Sequence, residues 1–240
     1  MSAHPSFPPL LSGLATGPAN PFAVACAEAV RGTDSGLLTW SLSEDRLRAA
    51  LVLAPEEPLC AAMAAFCACA VGLQNALGVL AAPETAVQLD WSGGLRVNQA
   101  HCGGLRVAAS TRDPSVEPDW LVIGMELTLS LPDALEPGQT PEWTALNQEG
   151  CGEIDPLHLL EAWARHSLLW INGLDDAQGR ANLYREWKGL VFNLGKEITL
   201  PIEGQRLAGT FLGVDENFSM VLKTEAQTRL IPLTQLLEEV

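Results

Sequence analysis

Basic residues are scarce in this chain: 14 lysines and arginines stand against 29 aspartates and glutamates, a formal charge of −15 over 240 residues. A protein gains affinity for a phosphate backbone by releasing counterions to a basic patch. No basic cluster here is longer than Arg46-Leu47-Arg48. Nucleic acid and anionic membrane are therefore excluded as partners. Also missing is any C-x-x-C pair among Cys26, Cys60, Cys67, Cys69, Cys102 and Cys151. The opening Met-Ser-Ala-His-Pro has neither the basic stretch nor the apolar stretch of a secretory leader. The expectation is a cytoplasmic chain with reduced thiols. Cys67 and Cys69, two apart, point to different sides of a helix and read as small apolar filler. His158 and His166 share a helix at a spacing of eight rather than the i, i+4 that binds metal. No Ser-His-Asp, Cys-His or paired-carboxylate spacing signals catalysis.

Charge is absent altogether from residue 58 to residue 83, a run long enough to span a bilayer. Alanine, cysteine and glycine dominate it, Gln74 and Asn75 interrupt it, and Glu56, Glu57 and Glu84 flank it without a basic side. Those features predict a helix buried on most faces of a soluble domain.

What is present is 48% hydrophobic residues, enough for a real core. Residues 1–20, with several prolines and glycines, predict an extended arm. A helix is expected over 21–30 and strands over 36–40 and 48–54, with a polar turn at 41–45. The charge-free helix follows, then strands at 87–91, 95–97, 103–109 and 120–131, and a Pro/Gly/Glu loop at 132–142. Asp155 before Pro156 starts a helix that Asn172-Gly173 ends, with Leu157, Leu160, Ala164, Leu168 and Ile171 facing inward. A second helix spans about 175–188, with Ala177, Ala181, Tyr184 and Trp187 on one face. Short strands joined by tight turns fill 195–240 and suit a small barrel of about five strands. The expected class is α+β: a mixed sheet flanked by helices over residues 1–190, and an all-β cap over 195–240.

Five stretches, in order, resemble the biotin/lipoate–protein ligase superfamily. Asp90-Trp91-Ser92-Gly93-Gly94 stands where biotin ligases carry Lys-Trp-Pro-Asn-Asp. His101-Cys102-Gly103-Gly104-Leu105 stands where they carry Lys-x-(Ala/Gly)-Gly-Ile. The strand around Gly124, Glu126, Thr128 and Ser130 is similar to Ile-Gly-x-Gly-x-Asn-x-Asn. Tyr184–Trp187 resembles the end of the last catalytic-domain helix. Gly209–Asp215, continuing to Ile231, is similar to the family's SH3-like C-terminal barrel. The resemblance covers residues 21–240 and implies the ligase fold without a DNA-binding domain.

Two departures bear on activity. The resemblance implies a lysine that contacts both the acid's carboxylate and the α-phosphate, and Asp90 stands at its expected place. Exchanging a cation for an anion there turns attraction into repulsion, each worth about 4 kcal/mol at contact in an effective dielectric of 20. Losing the attraction alone costs roughly a thousandfold in rate. The family's Gly-Arg-rich adenylate loop is absent too, since residues 40–48 bridge their strands too briefly for a lid.

The candidate ligand-binding residues are Asp90, Trp91, Gly93, Gly94, Arg96, Gly103, Gly104, Arg106 and Gly124, with no catalytic residue assigned. Asp90 is either a polar ligand contact or a surface carboxylate at a strand end, and Trp91 a core or pocket-wall residue. Gly93, Gly94, Gly103 and Gly104 either admit a small molecule close to the backbone or serve turns and a bulge. Arg96 and Arg106 are cations within reach of an acid or phosphate, or plain exposed strand arginines.

The leading expectation is a ligase-fold protein that has lost adenylation and keeps a pocket for a small carboxylic acid. Biotin, lipoate or ATP enters as a ligand only if that binding survives. An alternative is a protein–protein module that docks a biotinyl or lipoyl carrier domain or pairs as a homodimer. A third is an active ligase in which Arg46, Arg48, Arg96 or Arg106 replaces the lysine.

Overall fold

The computed structural model describes residues 5–131, 141–202 and 205–239; the expected Pro/Gly/Glu loop falls mostly outside them. The chain order is β1 (Ser12–Ala15), α1 (Pro21–Val30), β2 (Leu37–Leu42), β3 (Arg46–Leu53), α2 (Leu59–Ala62), α3 (Ala64–Leu80), β4 (Val87–Leu89), β5 (Gly94–Val97), β6 (Ala100–Ala109) and β7 (Leu121–Thr128). It continues through α4 (Pro156–Asn172), α5 (Ala177–Leu190), β8 (Glu197–Ile202), β9 (Gln205–Val214), β10 (Met220–Lys223) and β11 (Thr228–Ile231). The α+β class stands. Strands β1 to β7 form one mixed sheet in the order β1-β2-β3-β7-β6-β5-β4. Among the described residues, only the β1–β2 pair of strands in this sheet is parallel. The expected N-terminal arm therefore includes an edge strand, whose four residues are all exposed.

Local chemistry sets the helix starts. Asn20 accepts through Oδ1 from the amides of Phe22 and Ala23, and Pro21 fills the first turn of α1. Asp155 does the same for α4, accepting from Leu157 N at 2.9 Å, and Asp176 caps α5 through Gly179 N. Asp155→Ala is expected to cost about 1 kcal/mol of stability, read as a lowered urea midpoint at unchanged slope.

The charge-free segment is an interior helix: every residue from Ala62 to Leu73 is buried. Both Cys67 and Cys69 are fully buried because the helix is enclosed on all sides, not on one stripe. All six cysteines are unpaired thiols, and only Cys60 is exposed. Helix α4 lies against α3 so closely that a Cβ on Gly72 would sit 2.7 Å from the Ser167 amide nitrogen. This contact turns α4 away from the expected stripe. Leu159, Leu160, Trp163, Ala164 and Ser167 face inward, while Leu157, Leu168 and Ile171 are half-buried. The Trp163 indole N–H donates to the Cys69 carbonyl at 3.1 Å. On α5 the buried pair is Leu183 and Trp187; Ala177 and Ala181 are exposed, since only the second half of α5 reaches the core.

The tail forms a four-stranded antiparallel sheet, β11-β10-β9-β8. About five strands in a barrel were expected; the described residues make four in an open row. This sheet shares the main core: Phe211, Val214, Phe218, Met220 and Leu222 belong to the same buried cluster as Trp91, Leu95 and Trp187.

Candidate functional site

Strand register places alternate residues on the sheet face away from α3 and α4. One row across that face reads Ser41, Arg48, Glu126, Gly104 and Gly94, on β2, β3, β7, β6 and β5. The neighbouring row reads Thr39, Ala50, Gly124 and Arg106. Helix α1 roofs the second row through Phe22, Ala25, Cys26 and Ala29. The first row stays open beyond it.

At one end of the open row, Asp90 follows β4 in a tight turn closed by Gly93 N to Asp90 O and Asp90 N to Gly94 O. A Cβ on Gly94 would lie 2.5 Å from Asp90 Oδ2, so the carboxylate occupies the space a side chain would take. Asp90 Oδ1 accepts from Arg96 Nε at 2.8 Å, with both side chains largely shielded at 17% and 15% exposure. A register shift in β5 between Leu95 and Arg96 brings Arg96 opposite His101. The guanidinium then lies 2.7 Å from His101 Nε2, donates to Gln99 O at 2.8 Å, and stacks on the Phe192 ring at 4.5 Å. His101 Nε2 is also 3.5 Å from Asp90 Oδ2. Its ring sits 5.3 Å from that of Trp143, which is 60% exposed. Burial, aided by Arg96, holds the His101 imidazole below its usual pKa, against the opposing pull of Asp90 and Glu142.

This geometry corrects the electrostatic expectation for Asp90. An uncompensated carboxylate would repel a phosphoryl group; Asp90 is instead neutralised by Arg96 at hydrogen-bond distance. Neither is a surface group. The other arginines of this face are also paired. Arg46 and Arg48 grip the two oxygens of Glu126, at 2.7 and 2.8 Å. Arg106 pairs with Glu238 and lies over the Phe22 ring at 4.3 Å. Arg46 also reaches Asp45 at 3.6 Å, so four of the chain's 14 basic residues gather on one face around four carboxylates, a locally balanced patch in a chain of −15.

The other candidates divide differently. Trp91 points into the core at 2% exposure and donates its indole N–H to Phe218 O at 2.8 Å, bridging the two sheets. Gly103, at φ +154, has Glu126 O where its Cβ would be, and a Cβ on Gly93 or Gly104 would press on backbone of the adjacent strand. Gly124 makes room for Phe22 and the stem of Arg106. These glycines admit the protein's own strands and α1. His101 entered the sequence reading only within a motif, and Trp143 and Phe192 did not enter it; the sole signal was that His101 replaces a lysine. Two shallow concavities lie elsewhere, one of 350 Å³ beside Leu42, Leu129, Leu146 and Cys151, the other of 630 Å³ on the C-terminal sheet. Among the described residues no group of His, Cys, Asp and Glu is arranged to hold a metal.

Comparison with known proteins follows the same outline. The biotin–[acetyl-CoA-carboxylase] ligase of Paracoccus denitrificans is 28% identical over 199 residues, covering 82% of this chain and 81% of that protein. A solved biotin protein ligase-like protein of unknown function from Silicibacter sp. TM1040 is 51% identical, with a TM-score of 0.90, covering 98% of this chain and 100% of that one. Biotin protein ligase from Aquifex aeolicus, solved with biotin and ATP, has a TM-score of 0.68 over 92% of this chain and 95% of that one. At 14% identity it shares the fold. A domain of unknown function, DUF4444, matches residues 203–239. With its profile matching residues 7–189, the chain belongs to the biotin/lipoate A/B protein ligase family.

Proposed function

We propose that this protein binds a small carboxylic acid, or the adenylate of one, over the open row, and does not perform the standard ATP-dependent adenylation and ligation. The carrying observation is the Asp90–Arg96–His101 cluster. The two positions at which the family's motifs carry lysine hold Asp90 and His101 here, in contact with each other and bridged by Arg96. Adenylation needs permanent positive charge aimed, with free donors, at the developing phosphoryl charge. Arg96 is the permanent cation of this cluster, and three of its five N–H donors are committed to Asp90, Gln99 and His101. Binding asks less. Arginine forks suit carboxylates and phosphates, and Arg46, Arg48, Arg96 and Arg106 gather on a face where cations match carboxylates one for one, in a chain of −15. Biotin and ATP are the first ligands to consider because the Aquifex aeolicus relative was solved with them. A biotinyl or lipoyl carrier domain is the protein partner this reading suggests, in the cytoplasm, with the tail from residue 195 acting as an SH3-like cap.

Isothermal titration with biotin, lipoate, octanoate and a non-hydrolysable biotinyl-adenylate mimic tests retained binding, and at least one is expected to bind. Silence from all four refutes the binding half. Acid-dependent exchange of pyrophosphate into ATP tests the other half: none is expected, and a signal above the no-acid control refutes it in favour of an arginine-based ligase.

A further inference from the structure

We propose that His101 positions Arg96 and makes capture of an anionic ligand on this face depend on pH, with acid favouring capture; this rests on the reading that the open row binds an anion. A guanidinium carries donors and no acceptor. The 2.7 Å contact between Arg96 Nη2 and His101 Nε2 therefore requires Nε2 to accept, which makes His101 a neutral imidazole with its proton on Nδ1. In that state Arg96 is held by three acceptors, Asp90 Oδ1, Gln99 O and His101 Nε2.

Adding a proton to His101 places an N–H on Nε2. That N–H faces the guanidinium, where it repels, and Asp90 Oδ2 at 3.5 Å, where it attracts. A small ring movement converts the second contact into a charge-assisted hydrogen bond. Asp90 then serves two cations, the charge of the three side chains rises from zero to one positive, and Arg96 loses one of its anchors. A guanidinium so loosened is free to turn toward an anion on the open row. Among the described residues the charged groups facing His101 are Asp90, Arg96 and Glu142, and Trp143 covers its ring. Burial and Arg96 outweigh the two carboxylates, so the neutral form holds at neutral pH and the switch operates on the acid side of the ordinary histidine value of 6.5. The direction follows: the locked arginine prevails above the transition and the released one below it.

Nitrogen-15 NMR of the ligand-free protein reads the switch itself. The expected result is an Nδ1–H tautomer above the transition and an Arg96 Nε resonance that shifts with the same midpoint. Asp90→Asn is expected to lower that midpoint, and Arg96→Gln to raise it. Titration with biotin and with the biotinyl-adenylate mimic reads the coupling: affinity is expected to be about tenfold tighter near pH 5 than near pH 8. In His101→Gln, which keeps an acceptor for Arg96 but takes up no proton, that slope is expected to vanish. An Nε2–H tautomer, or an Arg96 resonance indifferent to His101, overturns the switch whatever the ligands do. A pH slope that survives in His101→Gln also overturns it. A protein that shows the coupled titration yet binds neither probe at any pH overturns the anion-face reading, and with it this use of the switch.

Discussion

Trp91→Ala is expected to destabilise the protein by about 3–5 kcal/mol, because it opens a cavity where two sheets meet. The indole is 2% exposed and its N–H satisfies Phe218 O at 2.8 Å, so truncation also leaves a buried carbonyl without a partner. The site it would disrupt is locally constrained. Phe218 sits at φ +63, in a turn where Asp215 accepts from the amides of Asn217 and Ser219. Tyr184 packs edge-on to Phe218 and donates to Val214 O. Trp91→Phe, which fills much of the space but lacks the donor, is expected to cost about 1–2 kcal/mol. Urea unfolding followed by tryptophan fluorescence and by circular dichroism checks both. A cost below about 1 kcal/mol for the alanine variant, or two separate transitions in the wild type, would show that Trp91 does not join the sheets.

Arg96→Gln carries the second large expected effect, about 3 kcal/mol of stability, because Asp90 is left largely buried with its charge unmatched. Asp90→Asn is expected to cost less, since Arg96 keeps Gln99 O, His101 and the Phe192 ring. The double variant is expected to be more stable than Arg96→Gln alone, giving a coupling of about 2 kcal/mol in a double-mutant cycle. Additivity of the two single changes would mean that Asp90 and Arg96 do not act as a pair. Breaking this pair is expected to move the His101 titration without unfolding the sheet, which separates its role from that of Trp91.

The start of α4 was legible in the sequence because its chemistry is local: Asp155-Pro156 announces its own cap. The enclosed α3 was legible from missing charge, and the succession along the chain of strands β2 to β7 from alternation and turns. Strand β1 was not. Ser12–Ala15 is short, lacks alternation and has no buried face, so only its pairing with Leu37–Trp40 defines it. The inward faces of α4 and α5 depend on the approach of Gly72 to Ser167 and on where α5 meets the core, and neither is encoded within those helices. The site was half legible. Resemblance marked Asp90 and its neighbours, but the β5 irregularity that swings Arg96 onto both Asp90 and His101 has no one-dimensional signature. Phe192 and Trp143 arrive from 96 and 42 residues beyond Arg96 and His101 respectively, so no spacing rule could have joined them.

The enclosure of α3 has a consequence for biogenesis. While the chain is being synthesised, this apolar segment emerges before β4 to β7 and α4, which form most of its packing surface, exist. Until those later residues follow, machinery that sorts nascent chains by hydropathy meets a segment resembling a bilayer span. A chain stopped before α4 is therefore expected to expose this helix and to aggregate more readily than the full chain.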